Sequence, residues 1–524
     1  MAAPGIAPVA NRAGVVGSGL AVLGLMLLPT AIVALVHWSW GAPSWAGDYA
    51  QYLSHARAIV EGRPYGEIGY IYNPAAWVIG PPVYPPGLPL TLAPMVALAG
   101  VDSVVFRLFN LVALGLFAWF AFRRLARDIP AHQAAIGAGF AALSIEVQLG
   151  TLVPITDLPF AALIWALVLA ADHDEGWSWG RVALVTAIGF ALFAYRVAAI
   201  AIVPALGLFA LLRWRKDRGR SMVPLVAWGL AGVGALLSGL VRNPYSDSVG
   251  NAFSSLEAQI AILRSNYRLG LFEAELYPFG VDRWDDVYHV IASVLVLLGG
   301  ALLGWRLRRS FLFLFSFSYA AMLALSPVAE LRYAWPLFPL IGAALAIGIE
   351  TLLSRALPAA KTITLAVCLA IALGATRHAV AASVPFAIHD TPDADALQEW
   401  LRTQHREEPV RLMFHNPRVI TLHTRAPAMG LTPRNTPGQL VAMEENRITH
   451  LLTQPDSVSS CLQRLANRLP ETYPQRFERV YANATFHVYR LVPASAPFDA
   501  PYEDVFRNRD DRWCGASSYG PGSG

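Results

Sequence analysis

Residues 181–213 read RVALVTAIGFALFAYRVAAIAIVPALGLFALLR, an apolar run of 31 residues between Arg181 and Arg213, broken only at Tyr195-Arg196. A single crossing of a bilayer core takes about 20 apolar residues. The run is too long for one crossing and short for two. Basic residues stand at both ends, and loops rich in Lys and Arg stay on the inner side, so the run must go out and come back. Each arm then has about 15 residues and a length of about 22 Å at a rise of 1.5 Å per residue. The hydrocarbon core is about 30 Å thick, so Arg196 at the turn should lie below the outer membrane surface. A charge at that depth is tolerated in a wet cavity or beside a partner.

The rest of the chain follows the same logic. Of its 524 residues, 55% are hydrophobic and only 15% charged, against roughly 25% charged in soluble domains. Membrane helices are predicted at 15–37, 102–122, 134–151, 158–171, 182–195, 197–212, 222–241, 287–304, 310–326, 333–350 and 362–378. Leu88–Ala99 is too short to cross and reads as an interfacial or partly inserted helix. Arg123, Arg124 and Arg127 follow the second helix. Arg213, Arg215, Lys216, Arg218 and Arg220 follow the sixth, Arg306, Arg308 and Arg309 the eighth, and Arg355 and Lys361 the tenth. These alternate loops share one side, the cytoplasm. The fold class is therefore an α-helical polytopic membrane protein with about eleven transmembrane helices and its N-terminus inside. Val15–Val36 is longer than the apolar core of a signal peptide and is taken as the first helix.

Beyond residue 380 polar residues become common, with strand-like runs at Val410–Phe414 and Thr485–Leu491 and a helical Asp393–Gln404. The expected domains are a membrane part at 1–379 with a long external loop at 38–86, a small external α/β domain at 380–500, and a loose tail at 501–524. The three cysteines, Cys368, Cys461 and Cys514, are too few for a disulfide scaffold. A pair between Cys461 and Cys514 stays open.

Chemistry concentrates in three places. In the first loop, Gly47-Asp48-Tyr49 opens an amphipathic helix with an apolar stripe of Tyr49, Leu53, Ala56 and Val60, while Asp48, Tyr52 and His55 share another face. For Asp48 the structural alternative is a helix N-cap, and for His55 a solvated helix position. A stiff segment rich in Pro, Gly and Tyr then ends in Tyr84-Pro85-Pro86-Gly87. Thr156-Asp157-Leu158-Pro159 opens a helix as short as those around Arg196, so Asp157 should lie at a similar depth. An acid and a base on two short hairpins imply a polar cavity entering the membrane from outside; a structural Asp157–Arg196 ion pair is the competing reading. Finally, Glu330-Leu331-Arg332-Tyr333 precedes a late apolar helix.

Taken in order, Gly47-Asp48-Tyr49, Glu61-Gly62-Arg63-Pro64-Tyr65, Tyr84-Pro85-Pro86-Gly87, Thr156-Asp157-Leu158-Pro159, Tyr195-Arg196 with Val203-Pro204-Ala205-Leu206, and Leu331-Arg332-Tyr333-Ala334-Trp335-Pro336 resemble the motifs of the C-type glycosyltransferases. Within that superfamily they are most similar to the bacterial branch related to protein mannosyltransferases and aminoarabinose transferases. The resemblance implies transfer of a sugar from a polyprenyl phosphate to an acceptor hydroxyl or amine outside the cytoplasm, at a bacterial inner membrane. The expected partners are that lipid-linked sugar, an envelope glycan, lipid or protein acceptor, and membrane lipid, with no nucleic acid. Asp48 is expected as the base and Asp157 as a second catalytic acid that binds donor hydroxyls or orients the acceptor. Arg196 and Arg332 are expected on the donor phosphate, because a guanidinium holds phosphate oxygens bidentately and stays charged. Tyr52, His55, Tyr84, Glu330 and Tyr333 are candidate substrate contacts. Tyr49 follows Asp48 where an acidic pair would stand, so no metal ligands are assigned and a divalent metal stays an open option. A transporter or flippase of lipid-linked sugars, or a non-catalytic envelope assembly protein, are the alternative functions.

Overall fold

The structure is a computed structural model. It describes residues 12–36, 47–73, 83–101, 103–172, 176–237, 282–325, 331–354, 356–381, 391–432, 436–455 and 461–493. Glu330, Cys514 and the 501–524 tail, together with the side chain of Cys461, lie outside the described residues. The chain divides into two compact units, one of residues 1–39, 85–88 and 103–383, the other of residues 40–84, 89–102 and 384–524.

The first unit is helical. Its described helices are Arg12–Val36, Ser103–Leu125, Ala131–Phe140, Asp157–Ala171, Trp179–Tyr195, Ile202–Leu212, Val223–Leu237, Asp282–Leu307, Phe311–Leu325, Phe338–Leu353 and Ala360–Ala381, with shorter turns between them. Among the described residues three helical stretches, Gly17–Val36, Val104–Leu125 and Arg332–Leu353, are long and apolar enough to cross a membrane. The two arms around Arg196 are shorter, at 17 residues for Trp179–Tyr195 and 11 for Ile202–Leu212. Large apolar side chains stand exposed along the helices of this unit, Leu212 at 72% and Phe317 at 75%. Such a surface is unfavourable in water and suits a lipid solvent.

Helix association in lipid gains from close backbone approach at small residues. Asp282–Leu307 crosses Phe338–Leu353 in this way: Gly299 faces the Ala344 carbonyl and Gly348 the Leu295 carbonyl, with no room for a Cβ at either. One predicted helix is corrected. Residues 134–151 do not form a single helix but break after Leu143, where Ser144 turns extended and its Oγ accepts the Val147 N–H at 3.3 Å, starting a new turn. Ser competes with the helix ladder in just this local manner.

The two ends of this unit differ in charge. At one end Asp172 accepts from Arg124 Nε at 2.9 Å and from the Leu312 N–H at 3.3 Å, and Arg127 donates to its carbonyl. The arginine-bearing loops after Leu125 and before Phe311 therefore meet at the C-terminal end of Asp157–Ala171. Asp157 itself opens that helix at the other end.

The second unit is built on a six-stranded sheet in the order β1-β3-β2-β4-β6-β5. The strands are β1 Tyr70–Ile71, β2 Leu412–Met413, β3 Ala428–Met429, β4 His450–Thr453, β5 Phe477–Ala482 and β6 His487–Leu491. β1, β3, β2 and β4 pair in parallel, and β6 and β5 add antiparallel. Successive strand residues point to opposite faces. Leu412, Ala428 and Leu452 join one apolar cluster with Leu397 and Leu401 of helix Pro392–Glu407. Met413, Met429 and Leu451 join another with Leu440 and Leu469. Both faces are covered, which explains why these strands are apolar without alternation.

The edge strand β1 comes from the first loop, not from beyond residue 380. Tyr70 pairs with Ala428 and Ile71 with Met429, and the Ala428 N–H donates to the Gly69 carbonyl at 3.1 Å. Arg57 Nη1 adds a bond to the Leu422 carbonyl at 2.6 Å. The first loop thus groups with the C-terminal residues rather than with the 1–379 part that the composition suggested.

Candidate active site

Two acid–arginine pairs involve residues of the sequence motifs, one in each unit. In the first unit Asp157 is the first residue of its helix and only 3% exposed. Arg196 ends the preceding arm in extended conformation, at φ −153° and ψ 141°, and the chain restarts as a 3-10 turn at Val197. Its Nη1 donates to Asp157 Oδ1 and, at 3.2 Å, to Thr156 Oγ1. The Arg196 guanidinium lies 4.5 Å from the Tyr333 ring centre and that of Arg332 lies 5.6 Å from the same ring. Three motifs distant in sequence, at 156–159, 195–196 and 331–335, therefore converge here. Tyr319 Oη donates to the Tyr333 carbonyl at 2.9 Å and Trp165 Nε1 to the Pro336 carbonyl at 2.9 Å, fixing the segment that carries Arg332. Arg107 is a further arginine of this unit, 1% exposed, which sequence reasoning passed over. Its signal was the same as for Asp157: a charge one turn inside an apolar run.

In the second unit the first-loop helix spans Asp48–Val60. Gly47, at φ 67°, occupies the cap position, so Asp48 is the first helical residue rather than the N-cap. Tyr84 Oη donates to Asp48 Oδ1 at 2.6 Å, and Arg418 Nη1 donates to the same oxygen at 2.9 Å. The Arg418 side chain is 2% exposed while that of Asp48 is 33% exposed. Tyr70 and Tyr84 present ring faces to the guanidinium at 5.0 and 5.6 Å. Nearby anionic and phenolic groups hold the Arg418 proton more tightly than usual against the cost of burial.

Arg418 is the functional residue that sequence reasoning missed. It sits in an ordinary polar helix, Pro417–Thr424, 370 positions from its partner.

The solvated reading of His55 is corrected, because the helix is buried almost all round. His55 is 0% exposed, its Nδ1 meets the Tyr65 carbonyl at 2.8 Å, and its ring stacks on Tyr65 at 4.3 Å. The carbonyl partner makes Nδ1 the donor, leaving Nε2 to accept from the Tyr84 N–H at 3.5 Å. Burial first, and the Arg418 charge next among lowering causes, push the His55 pKa down to about 4. His55 thus stands as a neutral brace between the helix and Tyr84. The Tyr52 ring packs 4.7 Å from that of Tyr84.

One carboxylate beside a guanidinium does not fit a divalent cation, and among the described residues no group of three or more His, Cys, Asp or Glu is placed to hold a metal.

The fold has close company. The family of dolichyl-phosphate-mannose-protein mannosyltransferases matches residues 83–238. ArnT from Cupriavidus metallidurans, solved with undecaprenyl phosphate, aligns over 91% of this chain and 99% of its own, at 14% identity and a TM-score of 0.51. The archaeal oligosaccharyltransferase AglB from Archaeoglobus fulgidus, solved with an inhibitory peptide and a dolichol-phosphate, aligns over 92% of this chain and 75% of its own, at 11% identity and a TM-score of 0.54. At these identities the likeness shows a shared fold. No curated protein matches it significantly in sequence.

Proposed function

We propose that the protein is a membrane glycosyltransferase that moves a sugar from a polyprenyl-phosphate donor to an extracytoplasmic envelope acceptor, at a bacterial inner membrane. The observation that carries this reading is the opposite burial of the two ion pairs. Arg418 is buried and Asp48 accessible; Asp157 is buried and Arg196 partly accessible. The accessible members are a carboxylate in one unit, suited to accepting a proton, and a guanidinium in the other, suited to meeting a phosphate.

In that displacement the acceptor oxygen or nitrogen forms a bond to the anomeric carbon, and the bond from that carbon to the phosphate oxygen breaks. The acceptor proton passes to Asp48. The pair of electrons leaves with the polyprenyl phosphate, whose added negative charge meets Arg196 and Arg332. Configuration at the anomeric carbon inverts. Tyr84 and Arg418 hold the carboxylate oxygen Oδ1 in place. Tyr333, between two guanidiniums, keeps both aimed. The molecules bound in the ArnT and AglB structures, undecaprenyl phosphate and a dolichol-phosphate, support a donor of that class.

The test is release of polyprenyl phosphate from a sugar-loaded polyprenyl-phosphate donor by the purified protein, with acceptor present. Release coupled to sugar transfer supports the reading. Movement of the intact donor between leaflets without release would replace it with a flippase.

A further inference from the structure

The first unit carries a second charged site, at the end opposite Arg196. Helix Trp179–Tyr195 has Arg196 beyond its C-terminus and starts, at its N-terminus, beside a cavity of about 250 Å³. Lys216, Arg218 and Arg220 line that cavity, together with Trp177 and Ser178. Ser178 caps the helix by accepting the Arg181 N–H at 3.3 Å, so the helix dipole adds positive potential to three cationic side chains.

The cavity wall is fixed by its own bonds. Asp217 Oδ1 accepts the Trp177 N–H at 3.1 Å, and Arg220 Nη1 donates to the Trp177 carbonyl at 3.2 Å. Asp217, 2% exposed, also pairs with Arg213 Nε at 3.5 Å. Asp217 is thereby paired within the framework, and Lys216, Arg218 and Arg220 line the cavity around it. Arg218 and Gly219 take successive left-handed conformations, at φ 50° and φ 74°, which turn the chain sharply between Lys216 and Arg220.

The neighbouring surface is apolar and aromatic. Trp179 and Trp214 are 62% and 53% exposed, and Leu211 and Leu212 are 61% and 72% exposed. Exposed tryptophans mark the boundary between headgroups and hydrocarbon. Arg220 lies 5.6 Å from the Trp179 ring centre. A ligand that fits must carry a negative charge at this boundary and apolar chains beside it.

We infer that this cavity binds the phosphate headgroup of an anionic phospholipid, with Lys216, Arg218 and Arg220 around the phosphate and the acyl chains along Leu211 and Leu212. Basic pockets between membrane helices hold acidic headgroups by this charge logic. The inference does not depend on the transferase reading.

The experiment is thermal unfolding of the full-length protein in neutral detergent, titrated separately with phosphatidylglycerol, phosphatidylcholine and inorganic phosphate. Phosphatidylglycerol should raise the melting temperature, and the other two should not at matched concentration. In the double variant Lys216→Gln/Arg218→Asn the unliganded melting temperature should stay put, since Asn tolerates the left-handed position. The half-effective phosphatidylglycerol concentration should rise at least about tenfold with two surface cations gone. An unchanged titration in the double variant would overturn the site, as would an equal shift with phosphatidylcholine. An equal shift with inorganic phosphate would overturn the lipid assignment in favour of a free anion. If the double variant does not fold, native mass spectrometry of the wild type under competition between the two lipids decides, and equal retention of both counts against the site.

Discussion

Two aspartates open two helices in this protein, and each meets an arginine brought from far along the chain. In the helical unit the acid is the hidden partner: Asp157 is 3% exposed and Arg196 17%. In the sheet-containing unit the base is hidden: Arg418 is 2% exposed and Asp48 33%. A buried charge needs a partner, so the hidden member of each pair fixes the position of the accessible one. The same pairing chemistry thus presents a cation in one unit and a carboxylate in the other. Counting salt bridges would have treated the two as equivalent; their burial separates an accessible cation from an accessible carboxylate.

The largest expected effect concerns the hidden acid. Arg196→Ala leaves Asp157 buried without its counter-ion, at a cost of about 3–5 kcal/mol. Asp157→Ala leaves Arg196, which reaches solvent more easily, and should cost less. The double variant should recover part of the loss. Yield and melting temperature of the three variants in detergent measure this. Equal losses in both single variants with no recovery in the double would mean that burial does not set the roles.

A second contrast is pH. In the sheet-containing unit, burial lowers the pKa values of His55 and His450 to about 4 from the ordinary 6.5, with the Arg418 charge adding for His55 and Arg490 for His450. Between those values the unfolded chain binds protons that the folded chain refuses. Stability from each is therefore complete above pH 6.5 and lost as pH falls toward 4, by on the order of 3 kcal/mol each. Hydrogen exchange at pH 7, 5.5 and 4.5 should show protection falling in β1–β6 before the helices of the first unit. His55→Phe should flatten part of that dependence, and acid sensitivity confined to the membrane helices would contradict it.

Smaller still is the effect of Tyr84→Phe. It removes one of two donors to Asp48 Oδ1 and leaves Arg418 in place, a cost of about 1 kcal/mol. Steady-state transfer should drop severalfold. A drop as deep as that of an Asp48 variant would make the Tyr84 hydroxyl, rather than the carboxylate, the group that handles the proton.

The sequence was informative where charge interrupts apolar runs. Asp157, Arg196 and Arg332 stand out because a membrane segment tolerates few such residues, and hydropathy alone places most of the helices within a few residues of their observed ends. It was silent where charge is ordinary. Arg418 is one arginine among many in a polar segment, and nothing local marks it as the partner of Asp48. His55 and Tyr52 followed a helical face that looked solvated, because amphipathic spacing cannot reveal that a second element covers the polar side. β1 has two residues, too few for periodicity to register. The break at Ser144 was missed because an apolar run of the right length masks a local side-chain bond.

Asp48 carries the proposal, and one variant decides its role. Asp48→Asn keeps the shape and the acceptor oxygen for Tyr84 and Arg418 but loses the base. Because it also leaves Arg418 buried without a counter-ion, it is best measured beside Asp48→Asn/Arg418→Met, which relieves that charge. Sugar transfer from a polyprenyl-phosphate donor, with melting temperature recorded for each purified variant, should fall at least about a hundredfold in Asp48→Asn. The double variant should regain stability without regaining transfer. A well-folded Asp48→Asn protein with near-normal turnover would remove Asp48 from the chemistry and leave Asp157 to be tested as the base.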